Sequence, residues 1–231
     1  MNAKVEHCYL CGKVLSDGEV TRDHVPPRAL FPRPLPSDLI TVPCCQPCNN
    51  AKSREEELFR LIATLGIKKT PEAKSVYDSR TLPRTLVRKR LKSEVIELLK
   101  TVQHVWMEVD GVIQPTPTMR VPIRPLCNVA ERISRGLTAH FHPALRVNEL
   151  HFEAYIPKRG QLLEVFAYLA EDLTELRIGG RTFHAYHGAT VESEKIGVWI
   201  MTFHEAIPAV VFHFDSEHPE LSSRNARRIS K

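Results

Sequence analysis

Two cysteine pairs, Cys8-x-x-Cys11 and Cys45-x-x-Cys48, constrain this chain more than any other feature. A thiolate pair two residues apart can bite one metal ion from a tight turn, and two pairs complete a tetrahedron. Gly12 follows the first pair and lets the chain turn there. Cys44 is an alternative to Cys45, but the two-residue gap favours Cys45. The insertion between the pairs, residues 12–44, is longer than the ~15–20 residues of a compact zinc ribbon. It holds Arg22-Asp23-His24-Val25-Pro26-Pro27, and directly after Cys48 comes Asn49-Asn50-Ala51-Lys52. Pro26, Pro27, Pro32, Pro34, Pro36, Pro43 and Pro47 crowd the same region, which reads as loop that a metal knuckle must hold in place.

The first twenty residues carry Glu6, His7, Cys8 and Asp17 without an apolar segment, so a signal peptide is not expected. No apolar run approaches the ~20 residues of a membrane span. The expected setting is the cytoplasm, with no membrane partner. In a reducing compartment the CxxC spacing points to zinc rather than to disulfides. With four thiolates that zinc is structural, because no coordination position is left for chemistry. Cys127 stands apart and reads as a buried small apolar residue. At 42% hydrophobic and 26% charged the chain is an ordinary globular composition rather than a disordered one. A net charge of +5 is compatible with nucleic acid without demanding it.

The pattern divides into residues 1–66, a basic helical connector 67–102, and an α+β unit 103–231 with an antiparallel sheet. Leu58, Leu61, Ile62 and Leu65 predict a helix that starts at Asn49 or Ser53, with Ser53 and Glu56 as a capping box and Gly66 as the stop. Residues 67–82 read as loop or poor helix. A second helix is expected from Pro83, with the stripe Val87, Leu91, Val95, Leu98, Val102. Arg84, Arg88 and Lys92 recur at i, i+4, i+8 along it, either as a solvated face or as phosphate contacts. A hairpin is expected from 104–109 and 118–123, turning around Asp110-Gly111 and Pro115-Thr116-Pro117. Val129, Ile133 and Leu137 mark a helix, and Leu150 to Ile156 a strand. Leu162, Phe166, Leu169 and Leu173 mark another helix, closed by Gly179-Gly180. Segments 181–187, 195–203 and 207–214 predict an antiparallel meander, and 216–231 a polar tail. Trp106, Trp199, Phe203 and Phe212 are expected in the core. The scattered histidines, among them His140, His142, His184, His187, His204 and His213, are expected in core or surface positions rather than in a second metal site.

Paired cysteines, a strand ending in Asp-His before proline, and Cys-Asn-x-x-Lys at a helix start together resemble the HNH endonucleases, in their zinc-knuckle branch. The resemblance covers residues 8–60. It implies a ββα-metal nuclease module in the first segment. It also implies that His24 is the general base and that Asp23 and Asn49 hold a catalytic divalent cation. Asp38 lies near the middle motif position, usually asparagine, which orients the base. Asparagine at the third position biases the site towards Mg²⁺, with Mn²⁺ as the other candidate, because an amide oxygen is a hard donor.

The chemistry has its own logic. Phosphodiester hydrolysis needs a hydroxide-like nucleophile and relief of charge on the phosphate. An imidazole titrating near pH 6.5 can take a proton from water at neutral pH. A cation with two protein ligands keeps other positions for water and phosphate, as Mg²⁺ prefers. Neighbouring strand residues face opposite ways, so Asp23 and His24 can share a site only where the strand ends or bends, and Pro26-Pro27 would end it. Arg22, Arg28 and Lys52 are placed to hold flanking phosphates. The expectation is a DNA endonuclease. Its rivals are a non-catalytic zinc-containing nucleic-acid-binding module and a nuclease acting on RNA. Oligomeric state is not legible in the sequence.

Overall fold

The computed structural model describes residues 6–16, 18–51, 53–65, 70–87, 91–109, 111–157, 173–190 and 193–215. The fold is mixed α+β with antiparallel sheets throughout. The expected helix over 162–173 lies outside the described residues except at its last position. The 216–231 tail lies outside them entirely.

A short pair, β1 (Glu6–His7) and β2 (Val14–Leu15), carries the first cysteines in its turn. Next comes a longer antiparallel pair, β3 (Val20–Val25) and β4 (Ile40–Cys45), in the register Val20↔Cys45 to Val25↔Ile40. Helices α1 (Gln46–Ala51) and α2 (Ser53–Leu65) continue from β4. Both starts weighed from the sequence are thus partly right: Asn49 is already helical, and Ser53 opens the longer helix.

The region after α2 only partly meets expectation. Of residues 67–82, the described ones, 70–82, take the poor-helix alternative rather than loop. Helix α3 (Pro71–Val76), capped by Thr70, runs into a wide π-helical segment, Tyr77–Val87. Pro83 sits inside that segment; it has no N–H, and its ring clashes with the preceding turn of a standard helix. The predicted stripe is then cut at Leu91, which leaves helical geometry (φ −116°, ψ 35°) ahead of α4 (Lys92–Lys100). Leu91 and Leu98 still pack, against Leu58 and Leu61 of α2, in a small separate core.

The hairpin is also shifted. It consists of β5 (Gln103–Val109) and β6 (Val112–Thr118), so Pro115 and Pro117 belong to a strand rather than to a turn. It is a two-stranded ribbon, which leaves Trp106 73% exposed instead of buried.

Helix α5 (Ile123–Phe141) is the central element. Its buried stripe includes Leu126, Val129, Ala130, Ile133 and Leu137. It touches β3, β4 and α2 as well as β7 (His151–Tyr155) and β11 (Ile207–Phe214). Cys127 on this helix is half-buried rather than buried. The main sheet runs β7-β11-β10-β9-β8, with β9 (Phe183–Ala189) and β10 (Gly197–Phe203) as the expected meander. The strand β8 (Thr174–Ile178) was not expected; the glycines after it, read as a helix stop, turn the chain between two strands. On β10, Trp199, Met201 and Phe203 face the main core while Val198 and Ile200 face the other side, as strand alternation requires. Phe212 of β11 lies on an open face, 45% exposed, against expectation. Trp199 is buried, and its indole N–H donates to the Thr138 hydroxyl of α5 at 2.9 Å.

Among the described residues, the main apolar core runs from the cysteine pairs to the five-stranded sheet. It joins Cys8, Tyr9, Val25, Phe31, Val42, Cys45 and Phe59 to α5 and to the inner face of the sheet. Two glycines mark how tightly the halves meet. A Cβ on Gly136 of α5 would stand 2.5 Å from Val25 Cγ2, and one on Gly179 (φ +62°) would stand 2.6 Å from the Phe31 ring.

Candidate metal centre and catalytic cavity

The sulfurs of Cys8, Cys11, Cys45 and Cys48 all lie within 4.8 Å of one another. The Cys11 and Cys45 sulfurs are 3.9 Å apart, close to the ~3.8 Å edge of a tetrahedron with Zn–S bonds of about 2.3 Å. The donor set therefore fits a metal ion such as zinc. Local geometry builds it: the Gly12 N–H donates to Cys8 O at 2.8 Å, with Gly12 at φ +74°, and closes the first knuckle. Cys45 ends β4 and Cys48 lies in the first turn of α1. The choice between Cys44 and Cys45 is resolved by strand alternation and by the turn into the helix: Cys44 is fully buried and outside the cluster. Burial pushes the Cys8 thiol up, yet the backbone N–H groups of Cys45, Cys11 and Leu10 outweigh it and bring it down to about 6. Burial first, and then the neighbouring Cys45 and Cys11 sulfurs, hold the Cys48 thiol far above its ordinary value. Four thiols this close cannot all ionise without a cation between them.

Beside this cluster lies an open cavity of about 280 Å³, lined by Arg22, Asp23, His24, Arg28, Asn49 and Glu56, among others. Asp23 and His24 both line it while still paired in the β3–β4 ladder, which ends one residue later, at Val25. Asp23 is buried, and Tyr9 donates its hydroxyl to Asp23 Oδ2 at 2.6 Å. Burial, and then the Asp23 charge, raise the Tyr9 hydroxyl well above its usual range, so it stays a donor. Asn49 Nδ2 donates to Thr21 Oγ1 at 3.1 Å, and Thr21 in turn donates to Cys44 O at 2.6 Å. One N–H of the Asn49 amide is thereby engaged, and its oxygen is the atom that a cation would use.

Glu56 is the residue that the sequence reading placed elsewhere, as a capping partner. It lines this cavity and also a smaller neighbouring one shared with Tyr9, Asp23, His24 and Arg132. Its negative charge contributes to the upward shift of Tyr9. The sequence carries a signal: Asn49, Ser53 and Glu56 stand at i, i+4 and i+7, and although the first lies in α1 and the others in α2, all three line the cavity. Next to Glu56, Glu55 binds Asn128 and Arg132 at 2.7 and 2.5 Å and ties α2 to α5.

Asp38 is not brought to the cavity. Its Oδ2 accepts the Gly179 backbone N–H at 3.4 Å, on the turn after β8. Among the residues expected to hold phosphates, Arg22 and Arg28 line the cavity and both are exposed. Arg22 also pairs with Glu6 at 2.8 Å. Lys92, at the start of α4, is exposed and does not line the cavity. Lys52 and Arg88 lie outside the described residues, and of Arg84 only the backbone is described. A larger cavity of about 460 Å³ adjoins the first, with Arg22 lining both; Tyr9, His140, Arg146 and Asn148 are among its walls.

No protein-family model, curated protein or solved structure matches the chain. No described helix is long and apolar enough to cross a membrane.

Proposed function

We propose that this chain is a metal-dependent endonuclease that hydrolyses DNA phosphodiester bonds, with a zinc ion in the four-cysteine cluster as a structural staple. One observation carries the reading. An imidazole, a carboxylate, an amide oxygen and two exposed guanidinium groups line a single open cavity, on a strand pair and helix that four cysteines pin together.

In this reading the scissile phosphate lies in the cavity, with Arg22 and Arg28 binding the flanking phosphates. His24 accepts the proton of the attacking water. Asp23 and Asn49 are the residues that would hold a divalent cation: both offer oxygen, and Tyr9 and Thr21 fix the two side chains in place. That cation, Mg²⁺ or Mn²⁺, would supply charge neutralisation at the phosphate and at the leaving 3′ oxygen. Glu56 supplies the second carboxylate of the cavity and takes over the positioning role expected of Asp38. The products would carry 5′-phosphate and 3′-hydroxyl ends.

The test is plasmid DNA, and in parallel a single-stranded RNA, incubated with the full chain and Mg²⁺ or Mn²⁺. Wild type should cut DNA. His24→Ala should lose about 10²–10⁴-fold in rate, the usual contribution of a general base. Glu56→Gln should lower turnover, while Asp38→Asn should leave it unchanged. Equal cutting by wild type and His24→Ala removes His24 as the base. Salt-dependent DNA binding without cleavage under either metal would make the chain a binding module instead.

A further inference from the structure

The β5–β6 ribbon has two edges, and the sequence treats them differently. Among the described residues neither edge pairs with another strand. In β6, Pro115 and Pro117 lie opposite Trp106 and His104. Proline has no N–H to give to a ladder, so these positions must face outward, towards the free edge of β6. The ladder bonds then fall on the alternate pairs, Val105 with Thr116 and Met107 with Gln114. Two consequences follow. The outer edge of β6 lacks a donor at two of its three outward positions, Pro115 and Pro117, which is one way natural sheets discourage strand addition. The outer edge of β5 keeps its donors and acceptors, at His104, Trp106 and Glu108, with no proline to protect it.

Those same three residues share one face of the ribbon. Trp106 is 73% exposed, and Ile113, opposite Glu108 on that face, is 70% exposed. A strand laid antiparallel against this edge would find a free ladder and an apolar face beside it. The sequence of β5 is its own complement about Trp106. With the two-fold axis there, Trp106 meets its counterpart, and His104 stands opposite Glu108 of the other strand, twice over. An aromatic cross-strand pair is a stabilising arrangement, an imidazole N–H can donate to a carboxylate, and a two-fold strand pairing is the simplest closed assembly.

We propose that the outer edge of β5 is a self-association surface, pairing antiparallel with β5 of a second copy about Trp106 to make a four-stranded sheet. Main-chain hydrogen bonds supply the binding, as in other strand additions, and the prolines at two outward positions of β6 disfavour further growth on both sides of the new sheet. The inference stands independently of the nuclease reading.

Sedimentation velocity of the full chain over a micromolar concentration series tests it. Wild type should be a dimer in reversible exchange. Trp106→Pro removes an outward N–H and leaves the β5–β6 ladder intact; it should move the dimer–monomer midpoint to at least about tenfold higher concentration, since each lost hydrogen bond is worth about 1 kcal/mol. Glu108→Lys should weaken the dimer, and the double swap H104E/E108K should restore it. A wild type that stays monomeric, a dimer indifferent to Trp106→Pro, or a double swap that fails to rescue would each overturn the proposal. Unchanged circular dichroism in each variant separates loss of pairing from loss of fold.

Discussion

His204 gives the sharpest prediction about stability. It occupies the turn between β10 and β11 at φ 51°, fully buried. Burial pushes its imidazole down from 6.5 to about 4, with the Leu30 backbone and Glu72 pulling back only slightly. The folded state therefore holds this group neutral, while the unfolded chain protonates it below pH 6.5. Between those two values the unfolded state binds more protons, so stability rises with pH across the window and falls as the solution is acidified. The full shift corresponds to about 3 kcal/mol, and from about pH 8 to about pH 5 the loss is about 2 kcal/mol. His204→Asn removes the titrating group and keeps a residue that tolerates positive φ. Urea denaturation of both proteins at a series of pH values isolates the effect, because protonation elsewhere is common to both. The variant should gain about 2 kcal/mol relative to wild type on going from about pH 8 to about pH 5. Parallel curves across that range would refute the argument that a buried neutral imidazole is being charged. His187 and His213 are also lowered to about 4, by burial first, with neighbouring imidazoles adding to it and the Glu194 carbonyl opposing it at His213, so the wild type should lose more than His204 alone explains.

Two further outcomes follow from packing. Gly136→Ala should destabilise the chain by about 1–3 kcal/mol, because the new methyl would meet Val25 at 2.5 Å; that outweighs the ~1 kcal/mol that alanine gains in a helix, and thermal denaturation reads the difference. Removing metal with a chelator should lower the melting transition of the entire chain, not merely slow cutting, since Cys8 and Cys45 belong to the shared core; a melting curve unchanged by chelation would exclude a structural metal.

The legible parts of this fold were those where one local rule decides the outcome. Cysteine spacing located the four-sulfur cluster, and strand-like runs located β9, β10 and β11. The 3.6-residue stripe of Val129, Ile133 and Leu137 located α5. Failures came where tertiary context overrode a local sign. Pro115 and Pro117 look like turn residues, yet an edge strand accepts proline at every outward-facing position. Leu91 and Leu98 continue a helical stripe, but the backbone breaks at Leu91 while both side chains still reach the same core. Trp106 and Phe212 are apolar and expected inside, yet among the described residues no layer covers them, which sequence does not reveal. In the cavity, the Asp-His pair and Asn49 were marked by motif. Asp38 matches by position alone, and the spacing of Glu56 to Ser53 has an equally good local explanation as a cap.

The close approach of Gly136 to Val25 and of Gly179 to Phe31 bears on how this protein could be re-engineered. The amino-terminal sixty or so residues cannot be lifted out as a cassette. Transplanted onto another scaffold, they would present Val25, Phe31, Val42 and Phe59 to solvent, where α5 and the sheet now cover them. Any chimera that keeps the cavity intact has to carry the long helix and the five-stranded sheet along with it, as the chassis on which Asp23 and His24 are mounted.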